Sequence, residues 1–173
     1  MYRYIALLRG INVGGHKKLP MAELRTLFES LGFVDVQSYI QSGNVVFSSE
    51  EKVSGEVISE AIKGEYGWKV PVLIKTPDEI NGILDNCPFP KEAKEKSYFM
   101  FLFQPPSTEN IKTTLSFQYP DEEYVITPQC VYFYCSQGYG RAKLSGNLFE
   151  QKLKVSVTAR NYRTMTKLIE LAS

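Results

Sequence analysis

Apolar and polar positions change period several times along the chain, and each change marks an element. "RYIALLR" is an apolar run of strand length, and "MAELRTLFESLGF" places Leu24, Leu27, Phe28 and Leu31 at helical spacing before Gly32 ends the pattern. "VDVQSYI" and "NVVFSS" read as two strands joined by a turn at "QSGN". Helical period returns in "VSGEVISEAIKGEYG" through Val53, Val57, Ile58 and Ala61, and "KVPVLIKT" is a fourth strand. Pro71 cannot donate a ladder hydrogen bond, which suits a strand at the edge of a sheet. The order βαββαβ predicts a ferredoxin-like unit with its fourth strand on an edge.

A helix opened by Thr76, Pro77 and Glu79 in capping-box order follows, and then the pattern starts again. "SYFMFLF", "EYVIT", "CVYFYC" and "KVSVTA" read as strands, "STENIKTTLSF" and "SGNLFEQKL" as helices, and "NYRTMTKLIELA" as a closing helix. Trp68–Leu84 aligns with Leu153–Ile169 without a gap: Lys69 meets Lys154, Val70 meets Val155, Val72 meets Val157, and the cap residue Thr76 meets Asn161. Ile80, Ile83 and Leu84 meet Met165, Leu168 and Ile169. An unbroken register of this length predicts an internal structural repeat. The expected fold is α+β, two duplicated ferredoxin-like units each followed by a helix, packed into one compact body, with residues 1–86 as the first subdomain and 87–173 as the second. "YIALL" and "YFMFLF" are apolar on both faces, which predicts sheets covered on both sides.

Charge adds a polarity that the hydrophobic pattern does not show. Net charge is only +1, against broad nucleic-acid affinity, yet Met1–Ala22 holds Arg3, Arg9, Lys17 and Lys18 with no acidic residue. From Tyr124 to the end, seven basic residues face two acidic ones, Glu150 and Glu170, so the centre of the chain is acidic. No apolar run approaches a bilayer span and the N-terminus lacks a cleavage signature, so the expectation is a cytoplasmic protein with no membrane partner. Cys87, Cys130 and Cys135 have no paired spacing and read as free thiols, and a single histidine, His16, excludes a His-rich zinc site. No metal and no cofactor is implied.

Two segments carry candidate chemistry. In "LRGINVGGHKKLP", Gly10 and Gly15 match the glycine spacing of a phosphate-binding P-loop, but His16 stands at the lysine position and Lys17 at the Ser/Thr position. The glycines then serve as positive-φ turn residues. In the expected topology the first two strands run parallel, so Arg9, Asn12, Lys17 and Lys18 should lie near Gln41, Ser42 and Asn44. The second segment is the start of the last helix: the first copy places Asp78 and Glu79 there, the signs a helix N-terminus prefers, whereas the second has Arg163 just inside the cap and Arg160 just before it. Either an anion or an acidic side chain would offset them.

"ALLRGINVGGHKKLPMAELR", "YIQSGNVVF", "GRAKLS" and "TARNYRTMTKL" together resemble the bacterial family of domain of unknown function 1697. The resemblance implies a cytosolic protein with a duplicated ferredoxin-like fold and no established activity. Carried over position by position, its signature residues are Arg9, Asn12, Gly14, Gly15, Gln41, Ser42, Gly43, Asn44, Arg160, Asn161 and Thr164; Lys17, Lys18 and Arg163 join them on charge. Tyr162 departs from the tryptophan that is common there, which keeps an aromatic ring but loses the indole N–H.

The leading functional expectation is a module binding a small anionic or nucleotide-like ligand at a basic site formed by the first strand–helix loop and the first hairpin; whether the last-helix N-terminus joins it depends on how the halves dock. Single-stranded nucleic-acid binding and protein interaction, including self-association through edge strands, are the alternatives. Nucleic acid is the weaker of these, since no RNP-like aromatic motif stands on the predicted strands and Tyr2 and Tyr4 alone are weak evidence. Whether the protein is an enzyme is open: His16 and unpaired carboxylates give acyl or glycosyl transfer no support, while chemistry on a phosphorylated substrate stays available. The oligomeric state is not readable.

Overall fold

The structure is a computed structural model describing residues 1–173. The first repeat comprises β1 (Tyr2–Leu8), α1 (Met21–Ser30), β2 (Val34–Tyr39), β3 (Asn44–Ser49), α2 (Gly55–Tyr66) and β4 (Val72–Lys75), followed by α3 (Pro77–Asp85). A short α4 (Lys91–Glu95) leads to the second: β5 (Tyr98–Leu102), α5 (Thr108–Thr114), β6 (Glu122–Ile126), β7 (Cys130–Cys135), α6 (Gly146–Leu153) and β8 (Val157–Asn161), followed by α7 (Tyr162–Ala172). The sheets have the orders β2-β3-β1-β4 and β6-β7-β5-β8, antiparallel throughout. This is the duplicated ferredoxin-like arrangement that the sequence predicts. The chain forms two compact units, one of residues 1–82 with 166–173 and the other of residues 83–165.

In the first unit, Ala6, Leu8, Val45 and Phe47 of the sheet meet Leu24, Leu27 and Phe28 of α1 and Ile58 and Ile62 of α2. Gly32, at φ +87°, ends the α1 turn in a conformation that side chains disfavour. The inward face of α2 differs from the expected one: Val57 is 50% exposed, Val53 and Ala61 are partly buried, and Ile62 is fully buried. The Ile58–Ile62 pair removes more apolar area from water than Val57 and Ala61 would, so the helix turns that pair inward. Arg3 reaches from β1 with its guanidinium, donating to the carbonyls of Asp35 (3.1 Å) and Leu171 (3.1 Å) and to Ser48 Oγ (3.0 Å). The Leu171 carbonyl lies in the last turn of α7, where a cation is favourable.

In the second unit, Met100, Leu102, Val131, Phe133 and Cys135 pack with Phe149 and Leu153 of α6. Tyr4–Leu8 and Phe99–Leu102 are buried along their whole length, as strands apolar on both faces must be. The helix α4 has no apolar stripe, which is why periodicity alone does not reveal it.

Candidate functional site

The loop between β1 and α1 is a small hydrogen-bonded finger. Asn12 N–H donates to the Lys17 carbonyl (3.1 Å) and His16 N–H to the Val13 carbonyl (3.0 Å), while Val13 and His16 form an antiparallel bridge. Gly14 and Gly15, at φ +59° and +76°, are the two central residues of this hairpin, which matches the type I′ turn favoured by strand twist. Nothing lies within 4 Å of where a Gly15 side chain would begin. The glycines therefore serve the backbone turn, and the loop is not a phosphate cradle of the P-loop kind.

Asn12 fastens the base of the finger. Its Nδ2 donates to the Leu19 carbonyl (2.9 Å) and the Gln41 carbonyl (2.8 Å), and its Oδ1 accepts from Leu19 N–H (2.7 Å). Asn12 itself has φ +54°, a conformation that Asn tolerates better than most residues. Ile11 and Leu19 are fully buried on either side, so the finger projects from an anchored frame.

The first hairpin closes on the same frame. Leu8 N–H donates to the Gly43 carbonyl (2.8 Å), and a side chain at Gly43 would place its Cβ 2.7 Å from Leu8 Cβ. Asn44 is fully buried, its Nδ2 donating to the Tyr39 carbonyl (3.1 Å) and to Ser42 Oγ (2.9 Å). Loop and hairpin thus meet at one end of the sheet, as parallel β1 and β2 require. The amides of Asn12 and Asn44 spend both N–H groups on protein acceptors and hold this junction together.

The ionisable side chains of the finger are all basic. Arg9 is half-buried, its N–H donating to the Pro71 carbonyl (3.0 Å), and Lys18 and Gln41 are exposed. Lys17 Nζ donates to the Lys69 carbonyl (3.0 Å), which brings in the segment before β4, a neighbour that sequence reasoning missed. Beside it the lone tryptophan, Trp68, stacks on Tyr66 with ring centroids 5.3 Å apart and planes 18° apart. Tyr66 donates its hydroxyl to Glu23 (2.6 Å); desolvation first, then that carboxylate, pushes the hydroxyl pKa up to about 12. The single tryptophan was the available signal for this corner.

Arg160, Asn161, Arg163 and Thr164 lie at the β8–α7 junction of the second unit. Asn161 Oδ1 accepts from Thr164 N–H (2.9 Å), the cap that Thr76 provides for α3 by accepting from Glu79 N–H (3.2 Å). Glu79 returns a bond to Thr76 N–H (2.7 Å) and completes a capping box, whereas Thr164 occupies the equivalent position in α7. Arg160 is 7% exposed and its Nη1 donates to Thr158 Oγ1 (2.8 Å) and the Ala159 carbonyl (2.9 Å). Burial pulls its pKa down to about 10, which leaves the guanidinium charged at neutral pH. In the same unit, Glu122 accepts from the N–H groups of Lys143 (3.1 Å) and Leu144 (2.8 Å), fixing "GRAKLS" through a contact with no local sequence signal.

Residues 1–132 match the family described as "Protein of unknown function (DUF1697)", and the chain belongs to that family. The matched stretch contains the finger and the first hairpin; the β8–α7 junction lies beyond it. A conserved bacterial protein from Streptococcus pneumoniae has a similar solved structure, with a TM-score of 0.70 and 24% sequence identity over 99% of this chain and 98% of its own. That likeness shows a shared fold. No curated protein matches the chain. No helix is long and apolar enough to cross a membrane, and no cluster of His, Cys, Asp and Glu side chains could hold a metal ion.

Proposed function

We propose that this protein is a cytoplasmic binding module that takes a small anionic or nucleotide-like ligand at the basic end of its first sheet. Arg9, Lys17 and Lys18 supply the positive charge, and exposed Gln41 supplies an amide. The observation that carries this reading is the finger itself, an exposed loop with only basic ionisable groups, held in one shape by the three bonds of Asn12. A preorganised loop loses little conformational entropy on binding, so a few charge-assisted hydrogen bonds suffice for affinity. The arginines at the β8–α7 junction are a second basic group, and Arg160 enters the test as an independent variable.

Thermal unfolding and calorimetric titration with inorganic phosphate, nucleoside monophosphates and nucleoside triphosphates test the proposal. Ligand at a hundredfold excess over Kd stabilises by about 2.7 kcal/mol. The Lys17→Ala/Lys18→Ala variant should lose most of that gain, Arg9→Ala should weaken binding further, and Arg160→Ala, measured separately, should leave the affinity unchanged. Unchanged melting with every anion at low salt would sink the reading.

A second reading, single-stranded nucleic acid, draws support from the Tyr66–Trp68 stack beside Lys17 and Lys69. Tyr4, by contrast, is buried against Phe47 and offers no stacking face. Tryptophan fluorescence reports this corner directly, because Trp68 is the sole source. Salt-sensitive quenching by a short oligonucleotide supports the second reading, and no response at low salt removes it.

A further inference from the structure

Exposed apolar side chains concentrate at both ends of the first sheet. At the end opposite the finger, a cavity of about 420 Å³ is lined by Phe33, Val34, Val53 and Val57 together with Glu50, Glu51 and Lys52. Val34 and Val57 are 43% and 50% exposed, large values for valines that line a concave surface. At the other end, Val13 stands on the finger 64% exposed, beside the Gly14–Gly15 turn and followed by His16, Lys17 and Lys18. One end is a concave surface of mixed apolar and polar lining that includes two carboxylates and one ammonium. The other is a convex apolar tip with cations behind it.

The two features cannot meet within one molecule. β1 pairs Tyr2 with Ser49 at the cavity end and Leu7 with Asn44 at the finger end, so they are separated by the length of the strand, roughly 20 Å. An exposed apolar tip backed by cations and a cavity holding apolar side chains and carboxylates, at opposite ends of one sheet, fit a contact between copies. Such a contact is heterologous, because each copy offers a different surface to each neighbour.

We propose that copies of this chain associate head to tail, with the Val13 tip of one finger seated in the Val34–Val57 cavity of the next. Lys17 and Lys18 then face Glu50 and Glu51. The apolar tip is small, so the contact is weak and reversible, and its charges make it sensitive to salt. This inference does not rest on small-anion binding, and it turns on Val13, which contributes no charge.

Analytical ultracentrifugation over a concentration series tests it. The wild-type protein should gain mass with concentration at low salt and revert to monomer at high salt. Val13→Asp removes the tip, and Glu50→Lys/Glu51→Lys reverses the two carboxylate charges of the cavity; each should weaken association about tenfold or more. Mixing the two variants is decisive, because each retains the half that the other has lost. An equimolar mixture should form dimers that grow no further. Wild-type protein that stays monomeric to millimolar concentration, a variant that associates as before, or a mixture that stays monomeric would each overturn the proposal.

Discussion

The corresponding ends of the two sheets share a backbone frame and differ in what is attached to it. Leu8 N–H donates to the Gly43 carbonyl in the first hairpin, and Leu102 N–H donates to the Gln129 carbonyl in the second. One residue on, Arg9 N–H meets the Pro71 carbonyl and Phe103 N–H meets the Ser156 carbonyl. Beyond that point the first copy runs through residues 9–20 before its helix, whereas the second crosses residues 103–107 in "FQPPS". The frame is what the repeat preserves, since these bonds close the strand ends in either copy. The finger, its Asn12 staple and its cations are additions to one copy, so they are not requirements of the fold.

Matched positions break the comparison in measurable ways. The largest difference is expected at the first residues of α2 and α6, both glycines that follow a serine. A Cβ at Gly55 would lie 1.8 Å from the Val72 carbonyl oxygen, while nothing lies within 4 Å of one at Gly146. Urea denaturation should show Gly55→Ala destabilised by about 3 kcal/mol or more, and Gly146→Ala within about 0.5 kcal/mol of wild type. Equal effects would mean that α2 shifts freely away from β4.

A smaller effect separates the finger from the frame. Asn12→Ala removes three side-chain hydrogen bonds and places alanine at positive φ, for a cost of about 2 to 3 kcal/mol. Asn12→Gly keeps the backbone conformation and should recover part of that loss. Hydrogen exchange should rise from residue 10 to residue 19 and stay low at Leu8, because the bond to Gly43 belongs to the shared frame. Protection lost equally at both places would show that the finger supports the sheet.

The smallest contrast concerns caps. Ser145 Oγ accepts from Leu148 N–H (3.2 Å), but Ser54 makes no side-chain cap bond. Ser145→Ala should cost about 1 kcal/mol and Ser54→Ala a few tenths at most, read as the difference in denaturation midpoint.

Most elements were legible because period and punctuation are local. "NVVFSS" and "CVYFYC" match β3 and β7 at both ends, and the Thr76–Glu79 capping box forms as its spacing predicts. The inward face of α2 was less legible: Val57 and Ile58 are adjacent apolar residues, and only packing against the sheet selects between them. At the candidate site the meeting of loop and hairpin followed from strand order, but the division of labour did not. Asn12 and Asn44 carry the same polar groups as a ligand site would, and their engagement with backbone carbonyls is visible only once those carbonyls are placed.

By itself the sequence determined the duplicated βαββαβ order, the family, the concentration of cations in the opening loop and the glycines that let it turn. These depend on residue type and on neighbours a few positions away. Tertiary structure alone decided that Asn12 reaches Gln41 across 29 residues, that Lys17 reaches Lys69 across 52, and that Gly55 lies against Val72. The physical reason is that strand order and register set these distances. A hydrogen bond or a steric contact forms within a few ångströms or not at all, whatever the spacing along the chain.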